Sequence, residues 1–345
     1  MVLFCARPLS TLSSALAAAA DANRKAIQSV GKNDSTPLAT VRNKLRAPRQ
    51  KDPSESHAQV ASQPLQPERN FEKASSFIRS AALQGADLAV LPEYHLTNWL
   101  PNDPKFLPLC DEWETYVKKY QALAKECNIS IVPGTIVERH IVEKSEEDPE
   151  DKGHKLLNVA YFIDNTGEIV GKYIKKNLWG PERNHLTSSG RDTHEVFDTP
   201  IGRVGMLICW DLAFPEAFRE LIYQGAKVII IPTFWTLNDC SPEGLKLNPT
   251  AEATFLDSVL TARTFENTCG ELLFQYIQLS ARLINKAVIF ANAGGPPGKG
   301  YAGLSQVTVP YIGPLARLGS CLEGMATSEP TSRVTIGITI IDMGT

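Results

Sequence analysis

"GRVGMLICWDLAFPEAFRELIYQGAKVIIIP", residues 202–232, decides the fold. An apolar run of strand length ends at Cys209. Trp210 and Asp211 follow at once, and Pro215 then opens a stretch of helical spacing that closes at Gly225. Pro at a helix start and Gly past its end is the expected asymmetry. "AKVIIIP" is a second strand, apolar throughout, and so covered on both faces. A lone thiol therefore sits at a strand-to-helix corner beside an indole and a carboxylate.

Outward from this unit the pattern repeats. "PERNFEKASSFIRSAALQG" carries apolar residues at helical spacing, with Gly85 at the capping position. "ADLAVLPE" is a strand ending at Pro92 and Glu93. Residues 111–127 read as a helix, and "ISIVPGTIVER" as a strand interrupted at Pro133–Gly134. "LLNVAYFID", "NTG" and "EIVGKYIKK" make a β-hairpin. Residues 249–267 are helical and "AVIFANAGG" is a strand, with further strands near 303–309 and 333–342. Mixed elements with fully apolar strands predict a layered α/β architecture, helices outside sheets.

The chain has 345 residues, 43% hydrophobic and 21% charged, enough for a substantial core. A net charge of −3 speaks against a nucleic-acid partner. No apolar run has the roughly 18 residues of a membrane span. Seven cysteines without a repeating spacing fit a reducing, cytoplasmic compartment rather than a disulfide framework. No Cys/His spacing suggests zinc, and no metal or cofactor is expected. Residues 1–51 carry +7, which leaves −10 for the rest. The acid-free, Ala- and Ser-rich first twenty residues resemble a mitochondrial transit peptide. A disordered extension over residues 1–62 is the other reading. The acidic "EKSEEDPEDK", residues 143–152, reads as a solvated loop.

Glu93, Lys176 and Cys209 each stand at or just past a strand end, where α/β proteins gather side chains around a ligand. Singly each has an ordinary explanation: a surface carboxylate, a solvated lysine, an inert core thiol. Together they form a reactive set. A thiol with a pKa near 8.5 is mostly protonated at neutral pH and needs a base. A carboxylate supplies one. An ammonium and a backbone N–H, that of Trp210 by position, stabilise the charge that attack on a carbonyl or nitrile carbon creates.

"LAVLPEYHLTNW", "YIKKNLWGPER" and "GMLICWDLAFPEAFREL" resemble, in order, the three signature regions of the nitrilase superfamily, the carbon–nitrogen hydrolases. The resemblance covers roughly residues 63–319 and places the hydrolase domain at 63–345. It implies an αββα sandwich, pairing into homodimers or larger assemblies, and hydrolysis of a non-peptide C–N bond through a thioester. It makes Cys209 the nucleophile, Glu93 the general base, Lys176 the stabiliser of the tetrahedral intermediate and Glu182 a second glutamate. "CWDLAFPE" is closest to the amidase-like members, so a small amide or carbamoyl compound is expected as substrate. Nitrile hydrolysis, acyl transfer by the same thioester and a catalytically silent scaffold are the alternatives. Tyr94, Trp99, Trp179, Trp210, Phe234 and Trp235 are candidate pocket lining, and His95 reads as a structural histidine. Two departures stand out. The 17 residues "GELLFQYIQLSARLINK", 270–286, interrupt text that the family keeps nearly contiguous, either as a surface excursion or as an unspliced intron. The family's opening strand has only "HAQVASQP" as a poor candidate.

Overall fold

The computed structural model describes residues 63–144, 153–267, 287–296, 298–310, 312–318, 324–328 and 338–342. The N-terminal extension, most of the acidic stretch and the 270–286 insertion lie outside them. Helix α1 spans Pro67–Leu83, strand β1 Leu88–Val90 and helix α2 Trp113–Cys127. Strands β2 (Ser130–Val132), β3 (Ile136–Ile141), β4 (His154–Ile163) and β5 (Ile169–Ile174) follow. Then come β6 (Val196–Thr199), β7 (Gly202–Met206), α3 (Pro215–Tyr223), β8 (Val228–Thr233) and α4 (Ala251–Glu266). The chain closes with β9 (Ala287–Asn292), β10 (Gln306–Val309), β11 (Gly313–Arg317), β12 (Gly324–Ser328) and β13 (Ile338–Asp342).

Two sheets result. One runs β12-β13-β1-β2-β4-β3, with β5 added on β4; the other runs β11-β10-β9-β8-β7-β6. β7, β8 and β9 are parallel, and such neighbours need a crossover connection, here through α3 between β7 and β8. β13 lies parallel to β1, with Leu88 opposite Ile338.

The short run Leu88–Leu91 shows how the layers stack. Leu88 and Val90 join a core with Phe162, Met206, Ile230 and Ile289, between the two sheets. Ala89 and Leu91 face the other way, onto Ala74, Ile78, Tyr120 and Leu123 of α1 and α2. Successive side chains of a strand point to opposite faces, so one apolar run serves two cores. On the far side, Phe218 and Leu221 of α3 and Leu256 and Leu260 of α4 pack on the second sheet. The order is helix, sheet, sheet, helix: the αββα sandwich.

The expected break at Pro133–Gly134 divides that segment into two strands, β2 and β3, rather than bulging one. Gly134 takes φ +58°. A Cβ there would sit 1.8 Å from the Pro92 carbonyl oxygen. Only glycine lets this turn press against the end of β1. Strands β6, β11 and β12 carried no sequence signal strong enough to predict them.

Candidate active site

Glu93 follows the end of β1, and Cys209 follows the end of β7. The backbone of Phe234, just past β8, touches both. Its N–H donates to Glu93 Oε2 at 2.8 Å, and its carbonyl oxygen lies 3.9 Å from Cys209 Sγ. Asn292, the last residue of β9, fixes the next step of that loop. Its Oδ1 accepts from the Trp235 N–H at 2.8 Å and its Nδ2 donates to the Trp235 carbonyl at 3.1 Å. Neighbouring strand ends thus set the reactive groups against one another.

The ammonium at the site belongs to Lys175, not Lys176. Lys175 is fully buried. Its Nζ donates to Glu93 Oε1 at 2.9 Å and to Glu182 Oε1 at 2.7 Å. Lys176 is half-buried and turns away, donating to the Asp192 carbonyl at 2.7 Å. The reason is strand alternation. Tyr173 packs between the sheets and Ile174 against the outer helix layer; Lys175, still joined to β4 by its N–H to the Asn158 carbonyl at 2.9 Å, continues the inner face, and Lys176 turns toward the surface.

Asn158, in the middle of β4, completes the polar cluster. Its Nδ2 donates to Glu93 Oε1 and to Tyr94 Oη, each at 2.8 Å. Tyr94 in turn donates to Glu182 Oε1 at 2.5 Å, and Glu182 Oε2 accepts from the Trp179 N–H at 2.8 Å. A polar residue inside the apolar "LLNVAYFI" was the available signal for Asn158.

Burial drives the electrostatics. It raises the Glu93 carboxyl above the ordinary carboxylate range, against the pull of Lys175. It pushes the Cys209 thiol well up, with the Glu93 charge adding to the effect and Lys175 opposing it. Burial also works against the Lys175 charge, but Glu93, the thiol and Glu182 outweigh it and hold the ammonium well above its usual value. The resting state is a protonated thiol beside a carboxyl that can take its proton, with a permanent positive charge alongside.

The corner itself is strained. Cys209 takes φ +47° and Tyr94 φ +55°, a region that residues other than glycine rarely occupy. Asp211 holds the turn. Its Oδ2 accepts from the Ile208 N–H and from Tyr173 Oη, at 2.9 and 2.8 Å. Its Oδ1 accepts from the N–H and Nδ2 of Asn177, at 2.9 and 2.8 Å. One buried carboxylate so ties the Cys209 turn to the strand end that delivers Lys175.

Glu93, Glu182 and Cys209 line a cavity of about 230 Å³. Tyr94, Trp99, Trp179, Trp210, Phe234 and Trp235 form most of its wall, with Thr236 and Asp239 as further polar lining. Tyr94 stacks on Trp99 at 4.9 Å, and Trp210 lies 5.2 Å from Trp235. His95 is not in this wall. It is fully buried, with Nε2 2.7 Å from Tyr120 Oη. Among the described residues no cluster of His, Cys, Asp or Glu could hold a metal ion, and no helix is long and apolar enough to cross a membrane.

Comparison with known proteins fits this arrangement. The model of the carbon–nitrogen hydrolase family matches residues 56–269. The chain belongs to the carbon–nitrogen hydrolases. An omega-amidase of Homo sapiens is 30% identical over 177 residues, 49% of this chain and 59% of the relative. A citrullinase of Francisella tularensis is 32% identical over 172 residues, 48% of this chain and 55% of the relative. The chain thus spans little more than half the length of these relatives. Among solved structures, an amidase of Nesterenkonia with the acetamide moiety of fluoroacetamide joined to its active-site cysteine superposes with a TM-score of 0.55, at 22% identity, over 76% of this chain and 84% of that one. The NitFhit protein of Caenorhabditis elegans superposes with a TM-score of 0.55 at 24% identity, over 76% of this chain and 57% of its own. These two likenesses establish the nitrilase fold of this carbon–nitrogen hydrolase chain.

Proposed function

We propose that this carbon–nitrogen hydrolase cleaves the C–N bond of a small amide, with Cys209 as nucleophile and Glu93 as general base. One observation carries the reading. A thiol and two glutamates open onto one cavity, and a buried lysine bridges the two carboxylates behind it.

The steps follow from the geometry. Cys209 Sγ attacks the amide carbon while its proton passes to Glu93. Negative charge collects on the amide oxygen, where the Lys175 ammonium and the Trp210 N–H are the available donors. Trp210 lies in the first turn of the 3-10 segment Cys209–Ala213, where backbone N–H groups have no partner within the segment. Glu93 returns the proton to nitrogen, and ammonia leaves a thioester on Cys209. Water then attacks the acyl carbon and gives a proton to Glu93. The carboxylic acid leaves, and the proton restores the thiol. Glu182 and Asn158 keep Lys175 and Glu93 in register through this exchange.

The test is ammonia release from a panel of short aliphatic amides, carbamoyl compounds and nitriles, with mass spectrometry of the protein quenched during turnover. Amide turnover with an acyl adduct on Cys209 is the expected result. Turnover that survives Cys209→Ala overturns the scheme.

A further inference from the structure

The cavity wall is charged in one sense only. Beyond Glu93, Glu182 and Cys209, Thr236 and Asp239 are among its polar lining, and among the described residues no lysine, arginine or histidine side chain lines it. Lys175, behind the wall, is already divided between Glu93 and Glu182. Asp239 is held in place: its Oδ2 accepts from the Thr236 N–H at 2.9 Å and its Oδ1 from Thr236 Oγ1 at 2.6 Å. The turn 236–239 is braced in its own right by a bond from the Leu237 N–H to the Gly300 carbonyl at 2.7 Å. Each Asp239 oxygen keeps a lone pair beyond these bonds. The charged neighbours that act most on Asp239 are Glu252 and Glu182, both acidic, and burial raises its carboxyl above the ordinary range. Glu252 stands behind Trp235, accepting its indole N–H at 2.8 Å.

We infer that Asp239 is a specificity-determining residue and that the substrate is an amide bearing a cationic group at the end remote from the scissile bond. This rests on the amide-hydrolysis reading above and adds the substrate class to it. Three features act together. A carboxylate in a partly dehydrated wall attracts an ammonium or guanidinium. The faces of Trp99, Trp179 and Trp235 attract cations as well. A substrate carboxylate would enter a pocket with acidic neighbours, where the one cation behind the wall among the described residues, Lys175, is already shared by two carboxylates, and would lose its hydration with little replacement. The volume, about 230 Å³, suits a short chain carrying both an amide and a cation.

The test uses the full chain carrying Cys209→Ala, so that binding is read without turnover. Three probes of similar length are titrated calorimetrically: 4-aminobutanamide, pentanamide with a methyl in place of the ammonium, and 4-carbamoylbutanoate with a carboxylate. The ammonium probe should bind about tenfold more tightly than the methyl probe, and the carboxylate probe most weakly. Adding Asp239→Asn should erase the ammonium advantage; Asp239→Ser serves if the asparagine variant does not fold. Equal affinity for the first two probes, preference for the carboxylate, no binding by any of the three, or an advantage that survives loss of Asp239 overturns the inference. The hydrolytic reading fails by a different sign: the ammonium probe binds as expected, and the unmodified chain releases no ammonia from any amide.

Discussion

Lys175 and Lys176 are adjacent in the chain and belong to different parts of the molecule. The Nζ of Lys175 bridges Glu93 and Glu182 in the interior, while that of Lys176 donates to the Asp192 carbonyl near the surface. Lys175→Ala should lower kcat by about 100-fold or more, the scale for loss of a transition-state donor. It should also lower the melting temperature, because it leaves two buried carboxylates facing each other without a cation. Lys176→Ala should leave kcat within about twofold of the parent and unfold at nearly the same temperature. Steady-state ammonia release and thermal unfolding of the two variants decide the matter; the reverse pattern would return the catalytic role to Lys176.

The pH dependence of the reaction should carry the mark of Glu93. Burial raises its carboxyl, and the base must be ionised to accept the thiol proton. Activity is therefore lost as pH falls through a value above the ordinary carboxylate pKa of about 4.3. A kcat/KM profile should show this acid limb displaced upward, and Glu93→Gln should abolish turnover at every pH. An acid limb at or below the value of a free carboxylate would mean that Glu93 is not the base.

His95 makes a prediction about stability instead. Burial lowers its pKa from 6.5 to about 3. Below pH 6.5 the unfolded chain binds a proton that the folded chain refuses. Stability from this group is thus full above pH 6.5 and is lost as pH falls toward 3, by several kcal/mol in all. Unfolding temperatures at pH 7.5 and 5 should differ by less in His95→Gln than in the parent. An equal difference would show that the acid sensitivity lies elsewhere.

Much of this site was legible in the sequence, and the limits have physical causes. Cys209 and Glu93 stand out because each follows an apolar run, Met206–Ile208 and Leu88–Leu91, where a reactive side chain breaks the pattern. The lysine did not, because Tyr173 and Ile174 before it are both apolar and each faces a different core. With two cores, one per sheet face, hydrophobicity no longer tells which face is inner, and the assignment slips by one residue. Thr236 and Asp239 left no signal, since a polar turn reads the same whether it faces a cavity or solvent. The aromatic wall was readable because large rings cluster next to the reactive residues in sequence as well as in space.

Asp211 gives a separate handle on the nucleophile turn. It is fully buried, accepts four hydrogen bonds and touches neither the cavity nor the reacting groups. In Asp211→Asn one of the two oxygens becomes an NH₂ that must face donors: the Ile208 N–H and Tyr173 Oη, or the two N–H groups of Asn177. The Tyr173 hydroxyl can rotate to accept, but a backbone N–H cannot. At least one buried donor is left unpaired, at a cost of about 1–3 kcal/mol. The turn that holds Cys209 at φ +47° loses its brace, and a strained residue persists only where its surroundings over-determine it. The melting temperature should fall, and kcat should drop more than KM changes, because the wall aromatics stay in place while the thiol loses its aim. Asp211→Glu, which keeps the charge but not the reach, should not restore kcat. A variant that unfolds at a lower temperature but turns over at the parental rate would show that Asp211 stabilises the fold without positioning the nucleophile.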